Sequence, residues 1–500
     1  MKKILKKTLL GIFLGLSGLL LLFVLLVAIP VPSPVPPNLR SSPLAITNVS
    51  VIDLDADTLL AGQTVVIENG RIIALDSHAL VTLPDHARRI DGTDKFLIPG
   101  LWDMHAHHGT VFAPQLSLPL FIAAGVTNVR DLGGHASLEQ KNEWRERILN
   151  GTLLGPRIMG QADLILFSME TEDEARRLID DLDEGSGFIK VYNQVLPGAY
   201  FALLDAAKQK GIDVLGHRPR SVSAVDAARA GHKSFEHARL FLFECYPGAK
   251  ELREHYRARY AGEVPSTGRL DSTATRRAMI DEHDPEMFDK LVTSMIESGT
   301  WFCPTHITRK MDAFADNEAY RQDTRLKYIH FLDRIEWASD ANGMIEQDPT
   351  PEGRKAFMDF YEKGLELTGK AHQAGVKILA GSDAHDTYCF PGFGLHDELQ
   401  ELVKAGLTPM QALKTATVNP AEYFGRSDDY GSVAVGKVAD LVLLDANPLD
   451  SMANIGSINS VIYDGILYAR EDLDEALDYV ESNARSLGLA AKTIWANMRP

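Results

Sequence analysis

His105 and His107, one residue apart, close the apolar run 96–104, which reads Phe-Leu-Ile-Pro-Gly-Leu-Trp-Asp-Met. On a strand, side chains at i and i+2 point the same way, so both imidazoles face one pocket. Two imidazoles held rigidly on one face can grip a borderline ion such as zinc. Further candidate ligands sit at the ends of apolar runs of their own. Lys190 lies in the run 187–192, His217 ends 212–217, His237 ends 233–237, and Asp383 falls at the end of 376–384. Nitrogen and oxygen donors of these types are what a metal centre that activates water requires.

The order His-x-His, Lys, His, His, Asp resembles the amidohydrolase superfamily, whose barrels place these ligands on strands one, four, five, six and eight. The segment 97–107 is similar to that family's opening signature. The stretch 406–413, followed by Thr415-Ala416-Thr417 and Asn419-Pro420-Ala421, is similar to its usual ending. The resemblance covers about residues 44–470 and is closest to the imidazolonepropionase-like and prolidase-like branch that keeps the strand-four lysine. It implies that His105, His107 and Asp383 hold one divalent ion and that His217 and His237 hold a second. It also implies that Lys190, N-carboxylated by carbon dioxide, bridges the two as a carbamate. Zinc is the default ion, while manganese, cobalt or iron fit the same ligands. Two ions about 3.5–4 Å apart lower the pKa of a shared water and polarise a carbonyl or phosphoryl oxygen. Asp383 would take the water's proton and pass it to the leaving group.

The elements that must position these residues are legible as patterns. Strand and helix signals alternate through the middle of the chain, which argues for a parallel sheet. Eight candidate strands lie at 101–107, 126–130, 156–160, 187–192, 212–217, 233–237, 300–305 and 376–383, with helices such as 172–183, 199–210, 222–230 and 356–374 between them. Eight such units predict an α/β fold of the (β/α)8 TIM type, with its site at the C-terminal strand ends. Strands at 46–52, 64–67 and 71–75, with a Glu68-Asn69-Gly70 hairpin turn, precede it, and others at 439–444 and 460–463 follow. They predict a small β-sandwich built from both termini. The expected divisions are an apolar segment 1–29, a Pro-rich linker 30–43, a composite sandwich 44–98 with 430–470, a barrel 99–429 and a C-terminal part 471–500. Within that last part, an amphipathic helix is expected over 471–494. The long connections 241–285 and 308–355 are candidate lids or substrate walls, with helical decoration as the alternative.

Several residues are candidates for binding substrate. Tyr192 shares a face with Lys190 and could donate to a developing oxyanion, or simply pack. Arg218 and Arg220 could clamp a substrate carboxylate or stay solvated. His306 follows strand seven, and His385 follows Asp383. His108, His232, Asp103 and Asp131 read as structural. One departure concerns the loop after Lys190. Related dipeptidases often carry a Gly-rich, serine-containing segment there, and this chain has Tyr192-Asn193-Gln194-Val195-Leu196-Pro197.

Bulk properties set further bounds. The 500 residues suit one large barrel and a smaller unit, and a net charge of −17 disfavours nucleic acid as a partner. Cys245, Cys303 and Cys389 form no disulfide framework, although a single Cys245–Cys303 or Cys303–Cys389 bridge stays open. Lys2, Lys3, Lys6 and Lys7 precede an uncharged run from Thr8 to Ile29, close to the roughly 20 residues that span a bilayer. The expectation is an uncleaved membrane anchor with the catalytic part extracytoplasmic, periplasmic in a Gram-negative cell. The alternative is secretion after signal cleavage. The prolines at 30–37 predict an extended spacer. The expected activity is hydrolysis of a C–N amide bond in a small molecule, in dipeptides or N-acyl amino acids. Lactonase, esterase, phosphotriesterase, cyclic-amide or deaminase chemistry on the same scaffold is the alternative, and a non-enzymatic membrane-tethered scaffold comes last.

Overall fold

The computed structural model describes residues 2–31, 34, 43–77, 80–107, 114–134, 136–182, 187–265 and 272–497. Most of the Pro-rich linker, and His108, fall outside the described residues.

The chain enters its first sheet through β1 (Leu44–Asp53), β2 (Thr58–Glu68) and β3 (Arg71–Ser77), paired antiparallel in that order. The β2–β3 turn is made by Asn69 and Gly70, at φ 50° and 72°. Positive φ at both positions is what a two-residue turn needs to match strand twist, and Asn-Gly supplies it at little steric cost. β4 (Arg88–Asp91) and β5 (Phe96–Pro99) then run parallel to β1.

Seven strands follow: β6 (Leu101–Ala106), β7 (Val126–Asp131), β8 (Arg157–Met169), β9 (Phe188–Val195), β10 (Val214–Gly216), β11 (Ser234–Glu236) and β12 (Trp301–Cys303). Each pairs parallel with the next, giving a curled parallel sheet in a mixed α/β fold. The eighth expected strand, 376–383, forms isolated parallel bridges only, Phe302 with Ile378 and Ala106 with Ala384. It still reaches both open edges: the Leu379 amide donates to the Phe302 carbonyl at 2.8 Å, and the Asp383 amide to the His105 carbonyl at 2.7 Å. The regular ladder fails where Gly381 presses on β6 and Asp383 turns to φ 55°. A Cβ at Gly381 would lie 2.6 Å from that of His105.

β13 (Leu441–Leu444), β14 (Ile458–Tyr463) and β15 (Ile466–Tyr468) complete the first sheet, with β13 antiparallel to β5. Strands from both ends of the chain thus form one continuous eight-stranded sheet over a core of Ile46, Val49, Val51, Val65, Leu97, Leu441 and Leu443.

Helices Glu172–Asp180, Pro197–Lys210, Ala224–Arg229 and Pro351–Ala374 fill the expected gaps. The long connections are largely helical, including Ala249–Tyr260, Thr273–Asp281, His306–Phe314 and Phe331–Glu346. The single helix expected over 471–494 is instead two, Arg470–Asn483 and Leu487–Asn497. Ser486 starts the second by accepting the Leu489 amide on its hydroxyl, a side-chain cap that favours a new helix over continuation. Cys245, Cys303 and Cys389 are free and buried, so neither candidate bridge forms. The N-terminal helix Lys2–Ala28 contains a stretch, Lys7–Ala28, with mean hydropathy 2.8, long and apolar enough to cross a membrane.

Candidate metal centre

Asp383 gathers the site. One carboxylate oxygen lies 3.1 Å from His105 Nε2 and 3.0 Å from His107 Nε2, and the other lies 3.4 Å from His237 Nδ1. His217 joins through a 2.9 Å contact between its Nε2 and that of His237. Lys190 Nζ lies 3.1 Å from His105 Nε2 and 5.0 Å from the centre of the Tyr192 ring. All six residues expected as ligands are therefore within one cluster. His237 stands between Asp383 and His217 rather than clearly on one side.

The backbone pays for this convergence with strain. His237, Thr305 and Asp383 adopt φ of 74°, 44° and 55°, a region that non-glycine residues enter rarely outside turns and that recurs at functional sites. Thr305 Oγ1 sits 2.9 Å from His237 Nδ1, and the Gly133 carbonyl sits 2.9 Å from His107 Nδ1.

Electrostatics keep donors ready. Burial holds His217 and His237 well below the usual imidazole range, helped at His217 by His237 and Arg239 and opposed at His237 by Asp383, and burial also lowers His107. Neutral rings offer lone pairs. Burial alone would lower His105 too, but Asp383 and Glu236 turn its net shift upward. Asp383 overcomes its own burial through His105, His107 and His237 and stays well below the ordinary carboxylate range. Burial brings the Lys190 ammonium down to about 8 against the opposing pull of Asp383 and Glu236.

These residues fit a metal ion. Donors around a tetrahedral zinc with bonds near 2.0–2.1 Å lie roughly 3.3 Å apart. The Asp383 contacts with His105, His107 and His237 span 3.0–3.4 Å, and His105, His237 and Asp383 form a compact buried triad of donor atoms.

Two neighbours were not anticipated from sequence. Glu236 places Oε2 2.8 Å from His105 Nδ1 and receives Arg130 Nη2 on Oε1 at 2.8 Å. Arg130 is fully buried and also donates to the Met104 carbonyl and the Tyr423 hydroxyl. Arg239, two residues beyond His237, reaches His217 Nδ1 at 3.3 Å and lines the cavity. Asp103, read as structural, accepts the amides of His105 and Ser382, and burial lifts its pKa to about 6. Asp131 accepts the Gly133 amide at 3.0 Å. His232 is buried between the Tyr200 hydroxyl and the Gly216 carbonyl.

The cluster opens into a cavity of about 500 Å³, with Tyr192, Arg239, Arg309, Asp333, Trp337 and His385 on its walls. Tyr192 packs at a tilt against His217 with ring centres 4.4 Å apart, and burial with the nearby Asp383 charge pushes its hydroxyl up to about 12. His385 Nε2 lies 3.5 Å from Asp333. The other candidates sit elsewhere. Arg218 is drawn onto Glu244 at 3.1 Å and onto backbone carbonyls of its own loop. Arg220 packs on Tyr256 and Phe243 in an adjoining cavity. His306 is wholly buried, with neither ring nitrogen hydrogen-bonded, and lines no part of the metal cavity.

Residues 96–467 match the Amidohydrolase family. An adenine deaminase from Clostridium botulinum (strain Loch Maree / Type A3) is 26% identical over 141 residues, which are 27% of this chain and 22% of that relative. The match thus spans about a fifth of that relative's length. A putative prolidase from Bifidobacterium longum has a TM-score of 0.60 at 24% identity, covering 89% of this chain and 100% of that one. Bottromycin amidohydrolase has a TM-score of 0.64 at 22% identity, covering 92% of each chain. Both structural likenesses are of fold.

Proposed function

The chain belongs to the amidohydrolase family, and from that premise we propose that it is a metal-dependent hydrolase cleaving a C–N amide bond in dipeptides or N-acyl amino acids. The observation that carries this reading is the single Asp383 carboxylate drawn to His105, His107 and His237 at 3.0–3.4 Å. In the proposed arrangement β6 to β12 and the segment 376–384 form an eight-unit barrel, capped by a sandwich from both chain ends. The N-terminal helix anchors that body outside the cytoplasm.

His105, His107 and Asp383 would hold one divalent ion, and His217 and His237 a second. Lys190, if carboxylated on Nζ, would add an anionic ligand beside them. Bound ions supply an acidified water and a Lewis acid for the carbonyl. The chain supplies the rest. Asp383 accepts the proton of the attacking water and returns it to the leaving nitrogen. Glu236 holds His105 Nδ1 and so fixes which nitrogen faces the cavity. Tyr192, with its hydroxyl kept protonated, donates to the oxygen that gains charge as the carbonyl is attacked. Arg239 offers a cation for a substrate carboxylate.

The test is release of amino acids from a broad library of dipeptides and N-acyl amino acids by zinc-loaded protein in bicarbonate. Cleavage of a coherent subset, lost in Asp383→Asn, is the expected result. Silence from fully loaded protein would move the activity to lactone, ester or phosphotriester bonds.

A further inference from the structure

We infer that the helix Leu487–Asn497 lies in the membrane interface beside the N-terminal helix, so that the metal cavity opens at the bilayer surface and takes amphiphilic amides. The substrate class rests on the amide-hydrolase reading, and the membrane seat rests on the anchor reading.

The N-terminal helix exposes almost all of its apolar side chains, Leu9, Phe13, Leu16 and Leu20 among them, each more than half accessible. Phe23, Leu26 and Val27 are the exceptions, half-buried at i, i+3 and i+4 along one seam. The C-terminal helix covers that seam. Trp495 meets the Phe23 ring edge-on at 6.3 Å, Lys492 donates to the Val27 carbonyl, and Gly488 approaches the Leu26 carbonyl. The contact is confined to the last two turns of the N-terminal helix, where a spanning helix leaves the hydrocarbon. Tryptophan and snorkelling lysine are the side chains that favour this depth.

The same short helix has two other faces. Leu487, Ile494 and Trp495 are 61%, 45% and 39% exposed, an apolar surface continuous with the N-terminal helix. A bilayer already holding one helix covers the other at little added cost, because the apolar area lies beside it. Toward the body, Leu489 is buried in a cluster with Leu116, Leu120 and Val480, and His330 Nε2 lies 3.2 Å from the Ser486 carbonyl. Thr493, between Lys492 and Ile494, lines the metal cavity. Thr493 thus ties the rim of the cavity to the helix that carries the exposed apolar surface. Arg239, Arg309, Asp333 and Asp340 suit a charged head group there, while an acyl tail stays in the bilayer.

The test uses the full chain in phosphatidylcholine vesicles with brominated acyl chains. Bromine should quench a part of the tryptophan emission that disappears in Trp495→Phe; identical quenching in both proteins overturns the membrane seat. Hydrolysis is then compared for one amino acid carrying either an acetyl or a dodecanoyl group, supplied in vesicles. The dodecanoyl amide should be preferred by about tenfold or more, and the preference should collapse in the double variant Leu487→Glu, Ile494→Glu while acetyl turnover holds. Equal turnover of both amides by the unaltered chain overturns the substrate class. Quenching without cleavage of either amide supports the membrane seat and counts against the amide-hydrolase reading itself.

Discussion

Arg130 and Glu236 meet at 2.8 Å with both side chains fully buried, and Glu236 turns its second oxygen to His105 Nδ1 at the same distance. A buried cation therefore stands one carboxylate away from the candidate ligand cluster. It is Arg130, against the cost of burial, that holds Glu236 down at about 2 and keeps it an acceptor. Glu236→Gln leaves the guanidinium uncompensated and the His105 tautomer unfixed. Breaking such a pair costs about 3–5 kcal/mol, and losing a partner of a metal-binding histidine costs about 10–100-fold in metal affinity. Urea unfolding of metal-free protein and zinc titration against a chelator measure the two effects separately.

Gly381→Ala should weaken the same centre without removing any ligand. Its new methyl would meet His105 Cβ and Cys303 Sγ, both at 2.6 Å. Overpacking of this kind costs typically about 1–3 kcal/mol, and here the strain falls on the strand that carries His105. Zinc affinity and thermal midpoint should both fall, whereas Gly262→Ala, with nothing within 4 Å, should spare zinc affinity.

Lys190→Ala should bind fewer than two ions per chain and lose turnover, with small carboxylates restoring part of the activity. Elemental analysis after dialysis reports the stoichiometry. Unchanged metal content and rate would remove the carbamate from the mechanism.

Acid should destabilise the fold through His232. Burial pushes its imidazole down to about 4, while the unfolded chain titrates near 6.5. Between those values the unfolded state binds a proton that the folded state refuses, so stability is full above about pH 6.5 and is lost as pH falls toward 4. By pH 5 this amounts to about 2 kcal/mol. Unfolding free energies from urea titration at pH 7 and pH 5 should converge by that amount in His232→Gln relative to the unaltered chain.

The cluster was legible because a strand's two-residue period fixes which side chains share a face, and every donor but Lys190 falls at or near the end of an apolar run. Alternation misleads at Glu236. It adjoins His237, so the period assigns the two to opposite faces, yet β11 stops at Glu236 and the left-handed turn at His237 brings both to His105. Arg218 shows another boundary. Its position beside His217 suggested a substrate clamp, but Glu244, distant in sequence, claims the guanidinium. The apolar run 376–383 was visible as a strand, while its reduction to isolated bridges depends on how closely Gly381 meets β6. The meeting of both chain ends in one sheet was readable from strand signals at each end; the break at residues 484–486 rests on one hydroxyl cap.

The pairing of β13 with β5 also sets an order of events during synthesis. Pro99 waits for Leu441 as its register partner, so β5 keeps an open edge until every strand of the parallel sheet has been made. An unpaired apolar edge recruits other chains, and contacts so distant in sequence form slowly. The nascent protein therefore passes through an aggregation-prone stage that ends only when its last strands arrive, and chains cut short before residue 441 remain in it.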